Sequence, residues 1–577
     1  MSSYEIWRER AIEINKSSNA FSRLLNNYAE LASEIPAIGN ICQRRAPLNL
    51  LTTRDFQNNC LEHPTEGEYK LKLMQAKDII VKHIREQKEI LIWGDYDVDG
   101  MTATTSIFSC LKACGANVKW GIPCREDGYG LNFEMITTKM PVPGLVITVD
   151  NGITGREVAQ QLVNRGYKLI ITDHHLPEEE LPKADLILNP KCYVAETDDE
   201  YMVSGCFVGA QLGLFVLNEL EPVKYNKYLR LCNALIAMSI VSDVIPLNPK
   251  IRAVMYSGLV ELNNIEHDGL NALLVMCGWR PTQNITSSFL AFNVVPKLNA
   301  AGRMSDIDKG MNLLLFEQDE SFNKTNALIA ANDLKALNTK RKLIERQTFE
   351  QALEKMKDIK RPKSLVLHDP NWKPGVIGIV AAKLMEAYQC PTILLCGTTT
   401  LHGSGRAPDG VDLHACLEEC KDDLEQFGGH KAAVGLAVDQ TKLDQFIKHF
   451  DEVVIQRTKD FCPLIPIDAE VTITDLYDPR FVMFLSNLEP TDKNVNSNII
   501  LQLSSVYVAS VFSRSETLCL IVKNEEGFST VLDKYRGPSE WQQLVGRKID
   551  VLITPSITYF NGNTSVSWKI ESLKDIL

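Results

Sequence analysis

Three times between residues 89 and 175 a short apolar run of strand type ends abruptly in acid. EILIW (89–93) runs into GDYDVDG (94–100), LVITV (145–149) into Asp150-Asn151-Gly152, and KLIIT (168–172) into Asp173-His174-His175. Helix-like stretches such as KLMQAKDIIVKHIRE (72–86) and EVAQQLVNRG (157–166) lie between and before them. Strands that are apolar on both faces and alternate with helices belong to a parallel sheet buried on both sides, so this part of the chain reads as α/β. In such sheets functional residues gather just beyond the carboxyl ends of the strands, where all three acidic motifs fall.

The remainder divides by character. Residues 1–70 read as a helical N-terminal extension and 71–304 as the parallel-sheet domain. A mainly helical linker follows over 305–358, where NDLKALNTKRKLIERQTFEQALEKMKD (332–358) has no Gly or Pro and reads as one long helix. A second α/β lobe starts near SLVLHD (364–369) and occupies 359–460. Beyond Cys462-Pro463-Leu464-Ile465-Pro466 come runs rich in β-branched residues, among them IILQLSSVYVASV, TLCLIVK and KIDVLITP. Turn residues such as Asn561-Gly562-Asn563 separate them, so 463–577 reads as a small all-β barrel or sandwich, the barrel being of OB-fold type. Barrels of that kind hold single strands on aromatic and basic side chains, and Tyr507 and Trp568 are the candidates here.

Several classes are disfavoured. The apolar stretches around 203–218 and 233–247 are short and interrupted by Asn218 and Asp243, whereas a membrane span needs about 20 apolar residues. The first residues carry charges of both signs and no apolar core, so no secretory signal is expected, and a cytoplasmic location is. None of the 15 cysteines forms a CxxC pair, and the CxxxC pairs Cys110/Cys114 and Cys416/Cys420 lie in helix-like stretches. Reduced, mostly buried thiols are expected rather than structural zinc or disulfides. The net charge of −12 argues against nucleic acid only weakly, because metal-binding carboxylates count as negative yet attract phosphate once loaded. Locally, 335–346 holds five basic residues against one acid.

Asp95, Asp97 and Asp99 crowd three carboxylates into the turn after one strand, which requires cations or shifted pKa values. A calcium loop of EF-hand type would need Glu at its twelfth position, where Ser106 stands, and a helix rather than a strand before it. Asp150 and Asp173-His174-His175 would join these acids at one sheet edge, and Asp243 is set in the apolar run SIVSDVIPL, where an unpaired carboxylate is costly. A mixed oxygen and nitrogen set suits manganese or magnesium better than zinc. The constellation points to a phosphoesterase centre with two divalent cations, about 3.5–4 Å apart in enzymes of that type, with Asp150 as the natural bridge.

GDYDVDG, ITVDNGI (147–153), TDHHLP (172–177) and SDVIPL (242–247), in this order, resemble the four motifs of the DHH phosphoesterase family. EDGYGLN (126–132), PKLNAAGRM (296–304), LNTKRKLIE (337–345), GVIGIVAAKL (375–384), GSGR (403–406) and FGGHKAAVGL (427–436) extend the likeness to its RecJ-like branch over about 75–577. The resemblance implies a 5′-to-3′ exonuclease specific for single-stranded DNA that releases mononucleotides in repair and recombination. A single-strand-binding protein or a helicase is the protein partner it implies. It marks Asp97, Asp99, Asp150, His174 and Asp243 as ligands of two Mn2+ or Mg2+ ions, Asp95 beside them, and His175 as facing the scissile phosphate. It places Asn299 and Arg303 on the substrate backbone, and Gly405, Arg406, Gly428, Gly429 and His430 in the phosphate-contacting turns of the second lobe. Departures from the pattern are Lys373, where His is usual, Ala407, where Ser is usual, and 488–496, which lack the usual glycines. The alternatives are a small-substrate phosphodiesterase of the same family, of oligoribonuclease type, and an inactive replication scaffold.

Overall fold

The computed structural model describes residues 34–44, 61, 67–316, 324–357, 362–408, 410–459, 467–486, 499–514, 517–535, 539–560 and 563–576. These fall into two compact units. The first contains the described residues up to Gly121, Phe133–Val295 and those after Pro466; the second contains Ile122–Asn132 and the described residues of Pro296–Ile465.

In the first unit, strands β1 (Ile90–Trp93), β2 (Val118–Gly121), β3 (Leu145–Val149), β4 (Lys168–Thr172) and β5 (Leu186–Leu188) form one all-parallel sheet in the order β2-β1-β3-β4-β5. Every residue of β1 and β3 is buried, as the unbroken apolar runs require. The order reverses between β1 and β3, so the crevice between their carboxyl ends is the topological switch point at which open α/β sheets bind ligands. Trp93 pairs with Thr148 and Val149 with Thr172, so the three acidic motifs leave neighbouring strands at the same edge.

The same unit contains α1 (Pro36–Arg44), α2 (Val98–Ala113), α3 (Gly205–Leu220) and α4 (Tyr225–Ser242). Helix α2 is buried over almost its whole length, and its threonine hydroxyls are satisfied within the helix: Thr102, Thr104 and Thr105 donate to the carbonyls of Val98, Gly100 and Met101. Among the described residues no helix is long and apolar enough to cross a membrane.

After the two-residue β11 (Ala469–Glu470), strands β12 (Leu501–Arg514), β13 (Thr517–Lys523), β14 (Ser529–Tyr535), β15 (Lys548–Phe560) and β16 (Asn563–Ile576) close into a barrel in the order β12-β13-β14-β16-β15, with β15 pairing back onto β12. All these pairings are antiparallel except β14 with β16. One feature of this barrel differs from the sequence reading. Trp568, expected on the binding surface, is only 4% exposed and packs in the barrel core, because it falls on the inward phase of β16. Of the stretch read as a helical N-terminal extension, the described Ile35, Ile38 and Ile41 pack into the same core, so residues from both ends of the chain share one apolar cluster. Tyr507 stays half-buried, with the Lys548 ammonium 5.3 Å from its ring centre.

The second unit holds most of α5 (Val295–Arg303), then α6 (Lys324–Lys355) and α7 (Pro374–Tyr388). Its mixed sheet has the order β6-β7-β8-β10-β9, from β6 (Leu365–His368), β7 (Thr392–Cys396), β8 (Thr400–Arg406), β9 (Gln426–Gly429) and β10 (Ala433–Asp439). The long helix foreseen in the linker is α6, which begins eight residues before 332. Within its basic stretch Arg341 is buried and paired with Glu345 at 3.0 Å, so it adds nothing to a surface for phosphate.

Candidate active site

The turn after β1 is shaped by close packing. A side chain at Gly100 would bring its Cβ within 2.4 Å of the Asp95 carbonyl oxygen, so only glycine allows the chain to fold back over the acids. Asp97 caps α2, accepting from the Gly100 amide at 3.0 Å, and so places its carboxylate at the positive end of a helix. Asp99 lies one residue inside the helix and is completely buried. Its oxygens accept from the amides of Gly205 (2.7 Å) and Cys206 (2.8 Å), at the start of α3, and from the Ser239 hydroxyl on α4 (2.6 Å). One carboxylate thus ties three helices together.

Asp150 adopts the left-handed backbone conformation, with φ of 62°, which costs on the order of 1–3 kcal/mol for a residue other than glycine. Gly205 makes room for it: a Cβ there would lie 2.5 Å from that of Asp150. His174 is buried, and its Nδ1 lies 2.8 Å from the carbonyl of Val203. A carbonyl only accepts, so Nδ1 carries the proton and Nε2 presents a lone pair. That lone pair faces Asp150 Oδ1 at 3.0 Å, Asp243 Oδ2 at 3.4 Å and Asp99 Oδ2 at 3.6 Å. Asp243 closes the set as the residue that caps the carboxyl end of α4.

Asp173, which the sequence places at this edge without a role of its own, is the organiser. One of its oxygens accepts from the amides of His174 (2.7 Å) and His175 (3.1 Å) and from His175 Nδ1 (2.8 Å), and the other from the Ile153 amide (2.9 Å). Burial alone would raise its carboxyl, but the hydrogen bond and charge of His175, with the backbone amide, bring it down to about 2. His175 gains in return: burial opposes its charge, yet Asp173 raises the imidazole above its ordinary value.

The donor atoms converge in three overlapping groups whose members lie within 4.8 Å of one another: Asp95, Asp97 and Asp150; Asp99, Asp150, His174 and Asp243; and Asp150, His174 and His175. Asp150 belongs to all three, the position of a bridging ligand. Burial raises the Asp150 carboxyl well above its ordinary value, and Asp99 and Asp97 push it the same way. Asp243 is raised by burial and then by Asp99 and Asp97. His174 is lowered to about 4, mainly by burial and then by His175, which keeps it neutral and able to ligate. The residues fit a pair of hard divalent cations, because the Nε2 atom of His174 is buried, meets no hydrogen-bond donor among the described residues and points into a nest of carboxylates.

The second unit carries an arrangement suited to an anion. Arg406, from β8, donates to the Ser404 hydroxyl (3.0 Å) and the Gly405 carbonyl (2.7 Å), and among the described residues it meets no carboxylate. Burial lowers the proton affinity of its guanidinium, and the charge of Arg125 lowers it further. Its Nη2 would lie 3.0 Å from a Cβ at Gly378, in the second turn of α7. Arg303 donates to the Gly375 carbonyl in the same helix at 3.1 Å. Cations around a helix N-terminus favour a phosphate. Arg125 was not singled out from sequence, although it directly precedes the EDGYGLN motif. Asn299 is half-buried on α5, in the same helix as Arg303. Gly428 and Gly429 end β9, and His430 follows in a tight turn closed by its amide on the Ala433 carbonyl (2.8 Å). Of the departures, Lys373 is exposed just before α7 and Ala407 is buried in the lobe's apolar core, while 488–496 lie outside the described residues.

The DHH family N-terminal domain matches residues 89–236, and the DHHA1 domain matches 362–456. The single-stranded-DNA-specific exonuclease RecJ of Salmonella typhimurium is 33% identical over 407 residues, 66% of this chain and 69% of that protein. Its Escherichia coli counterpart is 32% identical over 405 residues, again 66% of this chain and 69% of that protein. The fold is similar to the crystal structure of Thermus thermophilus RecJ in complex with Mn2+, with a TM-score of 0.77 at 23% identity, covering 96% of this chain and 78% of that one. Motifs, fold and relatives agree, and the chain belongs to the RecJ family of single-stranded-DNA-specific exonucleases.

Proposed function

We propose that this protein hydrolyses single-stranded DNA from the 5′ end, releasing mononucleotides, with two divalent cations, manganese or magnesium, held by the convergent acids. The observation that carries this reading is the place of Asp150 in all three donor groups, with the His174 lone pair aimed at it from 3.0 Å. Asp95, Asp97 and Asp150 would hold one cation, and Asp99, Asp150, His174 and Asp243 the other. What such cations supply when bound is a water activated at neutral pH and neutralisation of the charge that develops on the phosphodiester.

The chain's own residues do the rest. Asp173 fixes the ring of His175 through Nδ1, so that Nε2 is the nitrogen left for the scissile phosphate. Arg406, Arg303 and Arg125, around the start of α7, bind and orient a backbone phosphate. Tyr507, with Lys548 against its ring, offers a stacking surface on the barrel for a base farther along the strand. We assign the protein to the cytoplasm, where DNA repair and recombination supply single strands, in company with a single-strand-binding protein or a helicase.

The test incubates 5′-labelled and 3′-labelled single strands, matching duplexes and dinucleotides with the protein and manganese, and repeats each in EDTA. Early release of the 5′ label as mononucleotide from single strands alone, abolished by EDTA, is expected. Preference for dinucleotides, release from the 3′ end or hydrolysis in EDTA would overturn the reading.

A further inference from the structure

The two histidines of the centre are held by their amides through Asp173, and their carbonyls are held from the other side. Asn189 follows β5 and is fully buried. Its Nδ2 donates to the His175 carbonyl at 2.9 Å, and its Oδ1 accepts from the Lys191 amide at 3.0 Å. The Lys191 ammonium returns to donate to the His174 carbonyl at 2.5 Å, with the Tyr201 ring 5.8 Å away on another side. Asn189, Pro190 and Lys191 therefore make a clasp: one side chain on each histidine carbonyl, locked together by the Asn189–Lys191 hydrogen bond.

The position of this clasp is dictated by the sheet. β5 lies at its edge beside β4, so the residue after β5 arrives next to the motif after β4. The Asp173 amide donates to the Leu188 carbonyl at 3.2 Å, which sets the register between the two exits. Proline at 190 starts a single 3-10 turn, and that turn points both polar groups back at the histidines. Fully burying an asparagine is favourable only when its amide is paired, and here both ends are. A lysine that turns its ammonium inward onto a main-chain carbonyl gives up hydration that a surface position would keep.

We propose that Asn189 and Lys191 are positioning residues for the metal centre: they fix the main chain of His174 and His175, and through it the direction of both imidazole rings. Partners one shell beyond metal ligands typically change metal affinity or activity about 10- to 100-fold when removed. The inference rests on the reading of the acidic cluster as a metal centre, so manganese binding by the unaltered protein is measured first and judges that reading alone.

The test compares Lys191→Met, which keeps the length of the side chain and removes its donor, with Asn189→Asp, which keeps Oδ1 and removes the Nδ2 donor. Lys191→Arg restores a donor. Manganese affinity by calorimetry, melting temperature without metal, and kcat and KM on a single-stranded oligonucleotide are read for each. For Lys191→Met the expected result is a 10- to 100-fold weaker affinity for manganese and a lower kcat, with KM for DNA and the metal-free melting temperature little changed. Lys191→Arg should recover part of the affinity. If Asn189→Asp does not fold, Lys191→Met and Lys191→Arg still decide the matter. Unchanged manganese affinity in folded Lys191→Met protein, or a loss that Lys191→Arg does not reduce at all, would overturn the proposal. So would a fall in melting temperature with metal affinity and kcat preserved, which is the mark of a purely structural role.

Discussion

The Nε2 atom of His174 and the Oδ1 atom of Asp150 face each other across 3.0 Å, one bearing a lone pair fixed by the Val203 carbonyl and the other a carboxylate oxygen. Two such acceptors are stable at that distance only with a proton or a cation between them. The folded chain thus holds a site here that either a proton or a divalent ion can fill, and the ion, with its greater charge, satisfies the surrounding carboxylates as well.

Manganese should therefore stabilise the protein as well as activate it. At about 100 times the dissociation constant, a ligand that binds only the folded state adds about 2.7 kcal/mol, enough to raise the melting temperature by several degrees. Asp150→Asn should abolish hydrolysis and this stabilisation together, while the metal-free protein melts at or above the unaltered one. Thermal unfolding with and without manganese is the measurement, and a metal-free variant that melts well below its parent would contradict the account.

The acids of the first motif should separate into two kinds. Asp97 contributes a helix cap worth about 1 kcal/mol, so Asp97→Ala should cost activity and little stability. Asp99→Ala should cost much more, because two buried amides and a hydroxyl lose their acceptor at about 1–3 kcal/mol each. Denaturant unfolding of the two metal-free variants checks this; equal stabilities would refute it.

That difference marks what the sequence could and could not show. The parallel sheet was legible because unbroken apolar runs ending in acid leave few alternatives, and the acids were legible because they end those runs. The role of Asp99 depends on Gly205, Cys206 and Ser239, more than a hundred positions away, and no local pattern announces such partners. Asp173 looked like the first letter of a motif rather than its anchor, since its partners are mostly backbone amides. Trp568 failed as a surface residue because alternation along β16 decides its face, and the phase of that alternation is set by pairing with β15. The contribution of Ile35, Ile38 and Ile41 to the barrel was invisible for the same reason as Asp99: the contact spans nearly the whole chain.

Asp173 also predicts a pH dependence. Its folded value of about 2 lies below the roughly 3.9 of an unfolded aspartate, so its contribution to stability is full above the unfolded value and is lost as pH falls toward 2. The shift corresponds to about 2–3 kcal/mol at neutral pH. Asp173→Asn, which also sets an amide donor against the Ile153 N–H, should destabilise the protein at pH 7 and by less at pH 3. Denaturant unfolding at the two pH values tests the sign, and a penalty that grows on acidification would reverse it.

Gly378→Ala probes the second unit without replacing a charged residue. The added Cβ would lie 2.8 Å from the Ser404 hydroxyl and 3.0 Å from Arg406 Nη2, so the guanidinium must move. A misplacement of 1 Å at a binding group can cost about 100-fold, so a shift of a few tenths of an ångström should raise KM for an oligonucleotide about two- to five-fold. Manganese affinity should stay as it is. An unchanged KM would show that Arg406 does not meet the DNA.

The barrel offers the last contrast, between two aromatic residues that the sequence treated alike. Trp568 is in the barrel core beside Leu532 and Ile570, so Trp568→Ala should leave a cavity and cost about 3–5 kcal/mol of stability. Tyr507 is half-buried with Lys548 at its ring, so Tyr507→Ala should leave the melting temperature nearly unchanged. If a base stacks there, the loss is about 1–3 kcal/mol of binding, seen as weaker affinity for long single strands and not for oligonucleotides too short to reach the barrel. Added salt should weaken the unaltered protein's grip on long strands, because it screens contacts to the charged backbone. Melting curves and affinity as a function of strand length separate the two variants. Equal binding of long strands by Tyr507→Ala and its parent would move the DNA path off this face of the barrel.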